Sequence, residues 1–400
     1  MEPKKITVSG TGCALTDFLF TGISFSEPDF TIFLSINPGD GGLSPGKLVF
    51  TEELENFSGS PYEDILERIT GCHPPVARNV GGPSLVSLIH ASQMLDNKEY
   101  AVKYFGMAGR DETAELIFSM IRNTPLNSEN YLATSDKPTP FTDVFSDPDF
   151  HDGHGERTFV NNIGAAWDYN ADLLTEEFFN SEIVCFGGTA LVPQIHDNLA
   201  TILDRAKRKN CITIVNTVFD FRNEKLNPGS PWPLGDSKTS FSKIDVLIMD
   251  REEALKISGQ NSLENAAVFF ISSNVSSFVI TNGADDVLAW SGGKLFSKTR
   301  LMKLPVSAEV IRTLRSNPGM KGDTTGCGDN FAGGIISSVA LQMKTRKQGE
   351  FDLTEALSLG IASGGFSCYI FGGTYLEKFP GEKRQRVLAL QKEYLKQIGK

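Results

Sequence analysis

Four short apolar runs, Ile183–Phe186 (IVCF), Ile212–Val215 (ITIV), Val246–Met249 (VLIM) and Phe278–Thr281 (FVIT), decide the fold class. They read as strands, and the stretches between them, at 190–209, 251–258 and 262–272, have helical spacing. Strands that alternate with helices imply parallel βαβ units. The chain is therefore α/β, with a doubly wound, mostly parallel central sheet flanked by helices. Further helices are expected at about 329–344, 353–370 and 382–398. Toward the N-terminus, Ile6–Ser9 reads as a first strand ending in the turn Gly10-Thr11-Gly12. Thr31–Ile36 (TIFLSI) reads as another strand, Val86–Leu95 as a helix, and Glu112–Ile121 as a helix after Gly106 and Gly109. From Tyr131 to Phe159 the sequence is polar, aromatic and turn-rich. This suggests hairpins, because a disordered linker would carry fewer Phe and Val. Residues 1–400 are thus expected to form one domain, with β-rich insertions near 14–50 and 125–160 as a small lid. Ligands of doubly wound sheets bind beyond the C-terminal strand ends, where a lid is useful.

The chain has 400 residues, with 38 Lys and Arg against 49 Asp and Glu, a formal charge of −11. A sizeable core forms at this length without staples. The acidic balance argues against a nucleic-acid surface, which needs clustered Lys and Arg, but allows a local basic pocket for a small anion. Cys13, Cys72, Cys185, Cys211, Cys327 and Cys368 lie far apart, with no CxxC pair. Reduced thiols and a cytoplasmic location are expected. No long apolar run follows the first lysines, and no stretch of about 18 apolar residues occurs, so neither secretion nor a membrane span is expected.

The strongest chemical feature is Gly322–Phe331 (GDTTGCGDNF), directly before the apolar helical run Phe331–Met343. Gly326 and Gly328 flank the small Cys327. Such a turn can aim successive backbone N–H groups at an anion, and the helix N-terminus adds a positive dipole end. Asp329 then stands beside that anion. It could accept a proton from an attacking hydroxyl, or merely cap the helix; spacing alone leaves both open.

The stretch DTTGCGDNFAGG resembles the C-terminal signature, DTxGAGD, of the ribokinase-like (PfkB) carbohydrate kinase family. The resemblance implies that Asp329 is the catalytic base and that the amides of Gly326, Cys327 and Gly328 form the anion hole, with Cys327 where alanine is usual. Weaker likenesses follow in the family's order. Gly12–Asp17 resembles the first-strand end, making Asp17 a ligand of substrate hydroxyls. Gly81-Gly82-Pro83 resembles the double glycine against the sugar, Gly106–Asp111 the G-x-x-G-x-D segment, and Gly155–Thr158 the strand returning from the lid. Asp250-Arg251-Glu252-Glu253 stands where the family has N-x-x-E, implying that Asp250 and Glu253 organise Mg²⁺ indirectly. Thr281-Asn282-Gly283 resembles the T-x-G turn beside the nucleotide, so Thr281 and Gly283, with Asp323 and Thr324, are implied nucleotide contacts. Ala362–Gly373 would supply further adenine-side wall. The likeness spans about residues 6 to 375. It departs at Val86 and Asp250, where asparagine is expected, and at Asp286, often glycine.

The implied activity is ATP-dependent phosphorylation of a hydroxyl on a sugar or sugar-like molecule, with ATP and Mg²⁺ as cofactors and a monovalent cation such as K⁺ left open. A nucleoside kinase of the same fold, and a low-turnover sugar- or nucleotide-binding regulator, are the alternatives. A homodimer through the lid is a further possibility. Gly41–Leu48 (GGLSPGKL) nearly fits a phosphate-binding loop, but Leu48 stands where a Mg²⁺-holding hydroxyl belongs. A sugar-facing lid turn fits better, with Gly41 and Gly42 allowing close approach. Gly10-Thr11-Gly12 lacks the third glycine of a dinucleotide fingerprint and reads as a close backbone turn. His151, Asp152, His154 and Glu156 read as solvated hairpin residues rather than metal ligands. Arg157 could reach a substrate or form a surface ion pair. Lys383–Lys400 reads as a solvated, mixed-charge covering helix.

Overall fold

The computed structural model describes residues 5–37, 39–150, 155–235, 238–322 and 324–400. His151, Asp152, His154 and Asp323 therefore lie outside the described residues. The larger of two sheets contains β1 (Ile6–Gly12), β5 (Tyr100–Gly109), β6 (Asn127–Ser135), β9 (Ile183–Gly187), β10 (Ile212–Asn216), β11 (Val246–Asp250), β12 (Ser277–Thr281), β13 (Val287–Ser291) and β14 (Met302–Leu304). Their order is β14-β13-β12-β11-β10-β9-β1-β5-β6. Every pairing from β12 to β6 is parallel, and only the β12–β13 and β13–β14 pairings, reached through a tight turn after Thr281, are antiparallel.

The middle strands are buried on both faces because helices cover both, so β9 and β10 are buried along their whole length and apolar or glycine but for Thr213 and Asn216. Alternate side chains go to opposite sides. Ile183 and Cys185 pack with Leu88, Ile335 and Leu357 under the helices Pro83–Met94, Cys327–Gln342 and Leu353–Ser367. Val184 and Phe186 pack with Leu199, Leu203 and Phe270 under Leu199–Arg208 and Leu263–Ser272.

The smaller sheet has the order β3-β8-β7-β2-β4, from β2 (Leu15–Thr21), β3 (Leu48–Phe50), β4 (Ala77–Gly81), β7 (Phe141–Asp147) and β8 (Glu156–Asn162). One face, with Phe20, Phe145 and Val160, is sealed by Leu54, Tyr62 and Ile65 from the helices Thr51–Ser58 and Tyr62–Thr70. Two sequence expectations differ here. Thr31–Ile36 is not a strand: Pro28 starts a helical turn, Pro28–Thr31, whose spacing drops Phe30 and Phe33 into the small core, and Leu34 makes one isolated bridge to Leu43. Within the stretch 125–160, β6 joins the large sheet beside β5, with Tyr131 edge-on to Tyr104 beneath it. No helix among the described residues is long and apolar enough to cross a membrane.

Candidate active site

β1 leads directly into β2, and this crossing between sheets builds the cleft. At the junction Cys13 N–H donates to the Gly187 carbonyl (2.8 Å), while the Cys13 carbonyl accepts from Ser84 N–H (3.1 Å) at the start of the Pro83–Met94 helix. Gly12 has φ +133°, and a Cβ there would lie 1.9 Å from the Gly187 oxygen, so only glycine fits. The register aligns Gly12, Gly187 and Asn216 across the C-terminal ends of β1, β9 and β10, and pairs Asp250 with Thr281 at the ends of β11 and β12. This rim is where open α/β sheets bind ligands.

Against the rim stands the N-terminus of Cys327–Gln342. Gly326, the residue before it, adopts φ +73°, and its Cα side lies so close to Gly373 that a Cβ would come within 2.4 Å of the Gly373 Cα. Thr324, Gly328 and part of Asp329 are open to solvent, whereas Asn330 is buried. The Cys327 N–H donates to the Thr324 carbonyl at 3.3 Å, which closes the turn on itself. Behind it, the Asn330 carboxamide donates to the carbonyls of Gly326 (2.9 Å) and Gly373 (2.8 Å). Its oxygen faces His90 Nδ1 at 2.8 Å and accepts from Lys383 Nζ at 2.9 Å. Lys383 also donates to Gln93 Oε1 at 3.0 Å and is 0% exposed.

Two carboxyls here have raised proton affinity, Asp329 and Glu253. Desolvation pushes Asp329 up to about 6. Glu253, only 8% exposed, is pushed up to about 8 by burial, then by the charges of Asp250 and Asp329. Its Oε2 accepts from Thr217 Oγ1 at 2.6 Å and from Asp250 N–H at 2.9 Å. Asp250 returns the favour by accepting from Glu253 N–H at 2.8 Å, so these two residues form a capping box on the Arg251–Ser258 helix. That accounts for Asp250: a carboxylate caps a helix as well as an asparagine does. Burial pushes the Cys13 thiol up, and the negative charges of Asp329 and Asp17 add to it.

Asp17 lies directly over Gly81, where a Cβ would fall 2.4 Å from Asp17 Oδ2. Gly82, at φ +92°, brings the following helix against Cys13. Across the small sheet, Asn79, Asp17, Thr142 and Asn161 stand in register, on the face opposite Phe20 and Phe145. Asp17 thus lies beside Gly81 and Gly82 against Cys13, Asp250 shares a capping box with Glu253 and stands across from Thr281, and Gly326, Cys327 and Gly328 lead into Asp329. Gly283, at φ +57°, has open space where a side chain would be. Other expected residues lie apart. Gly41 approaches the Glu53 carbonyl and Gly42 the Ser35 backbone, so their close contacts are within the lid itself. Arg157 pairs with Ser146, four residues along β7 from Thr142, or about 13 Å from the Asp17 row. Val86 is buried against Gly373.

Among the described residues no three His, Cys, Asp or Glu side chains are grouped to hold a metal ion. A divalent ion here would be held largely by phosphate oxygens and water, with Glu253 and Asp250 nearby.

Residues 76–376 match the family model described as pfkB family carbohydrate kinase. The chain belongs to the pfkB family of carbohydrate kinases. This pfkB family member has the fold of an adenosine kinase from Sinorhizobium meliloti, with 17% identity, TM-score 0.67, and coverage of 96% of this chain and 99% of that one. A probable sugar kinase from Rhizobium etli gives 16% identity, TM-score 0.66 and coverage of 96% and 99%. A ribokinase from Thermotoga maritima gives 16%, TM-score 0.61 and coverage of 97% and 99%. Reading the sequence did not find Asn79, Thr142, Asn161, Thr217 or the Asn330–His90–Lys383 network of this pfkB family member. The one signal was Asn330 itself, adjoining Asp329; the others depend on strand register or on distant contacts.

Proposed function

We propose that the protein transfers the terminal phosphoryl group of ATP to a hydroxyl of a sugar or sugar-like molecule. The observation that supports this reading is the placement of Asp329 in the first turn of the Cys327–Gln342 helix, behind the glycine turn, with Asp17 beside Gly81 in the small sheet. Asp329, raised to about 6, is matched to taking a proton near neutral pH. Asp17 and the Gly81-Gly82 backbone orient the acceptor hydroxyl, and Asn79, Thr142 and Asn161 extend that polar row. The amides around Gly326–Gly328 and the helix dipole favour charge on the phosphoryl group in flight. Thr281, Gly283, Thr324 and Asp323 are assigned to the nucleotide. Bound with ATP, Mg²⁺ would neutralise phosphate charge, and the negative charges of Asp250 and Asp329, which raise Glu253, suit a neighbouring cation. Arg157, Gly41 and Gly42 are assigned to the lid around the acceptor rather than to the hydroxyl that reacts.

A nucleoside acceptor is the second reading, favoured because solved adenosine kinases share this fold over nearly the whole chain. ADP release from Mg-ATP, measured against sugars, sugar acids and nucleosides, separates the two. One acceptor with Asp329-dependent turnover names the substrate. Tight binding of a sugar or nucleotide without turnover would instead make the protein a binding regulator.

A further inference from the structure

The catalytic turn is bracketed by one residue from another element. Cys368 immediately follows the Leu353–Ser367 helix, and its carbonyl accepts from Gly322 N–H at 2.9 Å, at the entrance to the turn. Its thiol meets the exit: Cys368 Sγ lies 3.6 Å from Cys327 Sγ, and Cys327 is the first residue of the helix that carries Asp329. Both cysteines are half-buried, so small molecules reach them, while Cys13, Cys185 and Cys211 are buried.

We propose that Cys327 and Cys368 form a reversible disulfide that switches the phosphoryl-transfer site off. Bonding requires the sulfurs to close from 3.6 Å to about 2 Å. The turn is already fixed at Gly322 by Cys368 and at Gly326 by Gly373. The movement therefore falls on the helix start, displacing the Gly328 amide and the Asp329 carboxylate from the rim. The chemistry suits the pair. The Cys327 thiol hydrogen-bonds to Cys368 and lowers the latter to about 7, giving an attacking thiolate at neutral pH. Cys327 sits at a helix N-terminus, which favours its thiolate when it attacks in turn.

The oxidant is a low-molecular-weight disulfide, RSSR. The Cys368 thiolate attacks one sulfur and expels RS⁻, leaving a mixed disulfide. Cys327 loses its proton and attacks the Cys368 sulfur, expelling a second RS⁻. Two protein thiols and one RSSR thus become one protein disulfide and two RSH, with two electrons passing to RSSR.

The test incubates the full chain with oxidised glutathione and reads two things separately. Non-reducing peptide mapping is expected to find Cys327 joined to Cys368, with two hydrogens lost and restored by dithiothreitol. ADP release with the identified acceptor is expected to fall at least tenfold and recover on reduction. In Cys368→Ser and Cys368→Ala the ratio of oxidised to reduced activity, each variant compared with itself, should return to about one whatever the absolute rate, whereas Cys72→Ser, at an exposed thiol, should show the parent's loss. The activity arm rests on the kinase reading; the peptide map does not. If no acceptor is found, calorimetric binding of a non-hydrolysable ATP analogue replaces turnover and should weaken on oxidation. Two free thiols after oxidation, a glutathione adduct that stays on Cys368, or a cross-link that changes neither turnover nor nucleotide binding overturns the proposal. Equal inactivation of the Cys368 variants does so too.

Discussion

Asp329 is a residue whose usefulness and stability oppose one another. Its folded carboxyl titrates near 6 against an ordinary 3.8, so the native state holds a proton that the unfolded chain has released. The stability this gives is complete below about pH 4 and is lost as pH rises through 6. Asp329→Asn should therefore melt slightly higher than the parent at pH 7.5, by roughly 1–3 °C in calorimetry for a chain of this size. The same change should lower turnover by about three orders of magnitude with ATP binding kept. The parent should show an acid limb near pH 6 in kcat/KM. Near-normal turnover in the variant would remove Asp329 from the role of base. Asp17 is the residue proposed for the other substrate. Asp17→Ala should raise the KM for the acceptor at least tenfold and leave the KM for ATP within about twofold, and the reverse pattern would contradict its placement.

The element that most needed the structure is the C-terminal helix Glu382–Gln397. Its mixed charge reads as a solvated cover, yet Lys383 is wholly buried against Asn330, behind the Gly326 turn. Desolvation lowers its amine from 10.5 to about 7, with Glu377 opposing the shift. The unfolded chain therefore binds more protons between pH 7 and 10.5, and stability should rise with pH across that window. Thermal melts from pH 6.5 to 10 should show that rise in the parent and a flatter profile in Lys383→Met. A matching slope in both would mean that Lys383 is not the group involved. What the sequence makes legible is local. Strand–helix alternation places β9 to β12, and the glycines around Cys327 place a helix start. Burial of Lys383 depends on Asn330 and Gln93, far away in sequence, and leaves no local mark. The polar row of Asn79, Asp17, Thr142 and Asn161 is equally silent, because it exists only once four strands take one register. Thr31–Ile36 misled because a short apolar run suits a strand or a helical turn, and Pro28 decided for the latter.

At the scale of the whole molecule, the small sheet has a core of its own. Phe20, Phe30, Phe145 and Ile65 belong to a cluster distinct from those on the two faces of the large sheet. Phe145 is fully buried there, so Phe145→Ala should cost about 3–5 kcal/mol of lid packing. Hydrogen exchange should quicken in β2, β7 and β8 while β9 to β11 stay protected, and acceptor binding should fail before ATP binding does. Uniformly faster exchange across both sheets would deny the lid this independence. The connectivity that builds the lid also orders events in time. On a chain growing from its N-terminus, β2 can pair with β4 early, but its other edge must wait for β7, made only after β5 and β6. Until then Phe18 and Phe20 flank an unpaired edge, the kind of surface on which nascent chains aggregate. Translation thus passes through a vulnerable interval that closes once β7 and β8 emerge, and slow synthesis between Gly81 and Phe141 is where chaperones would matter most.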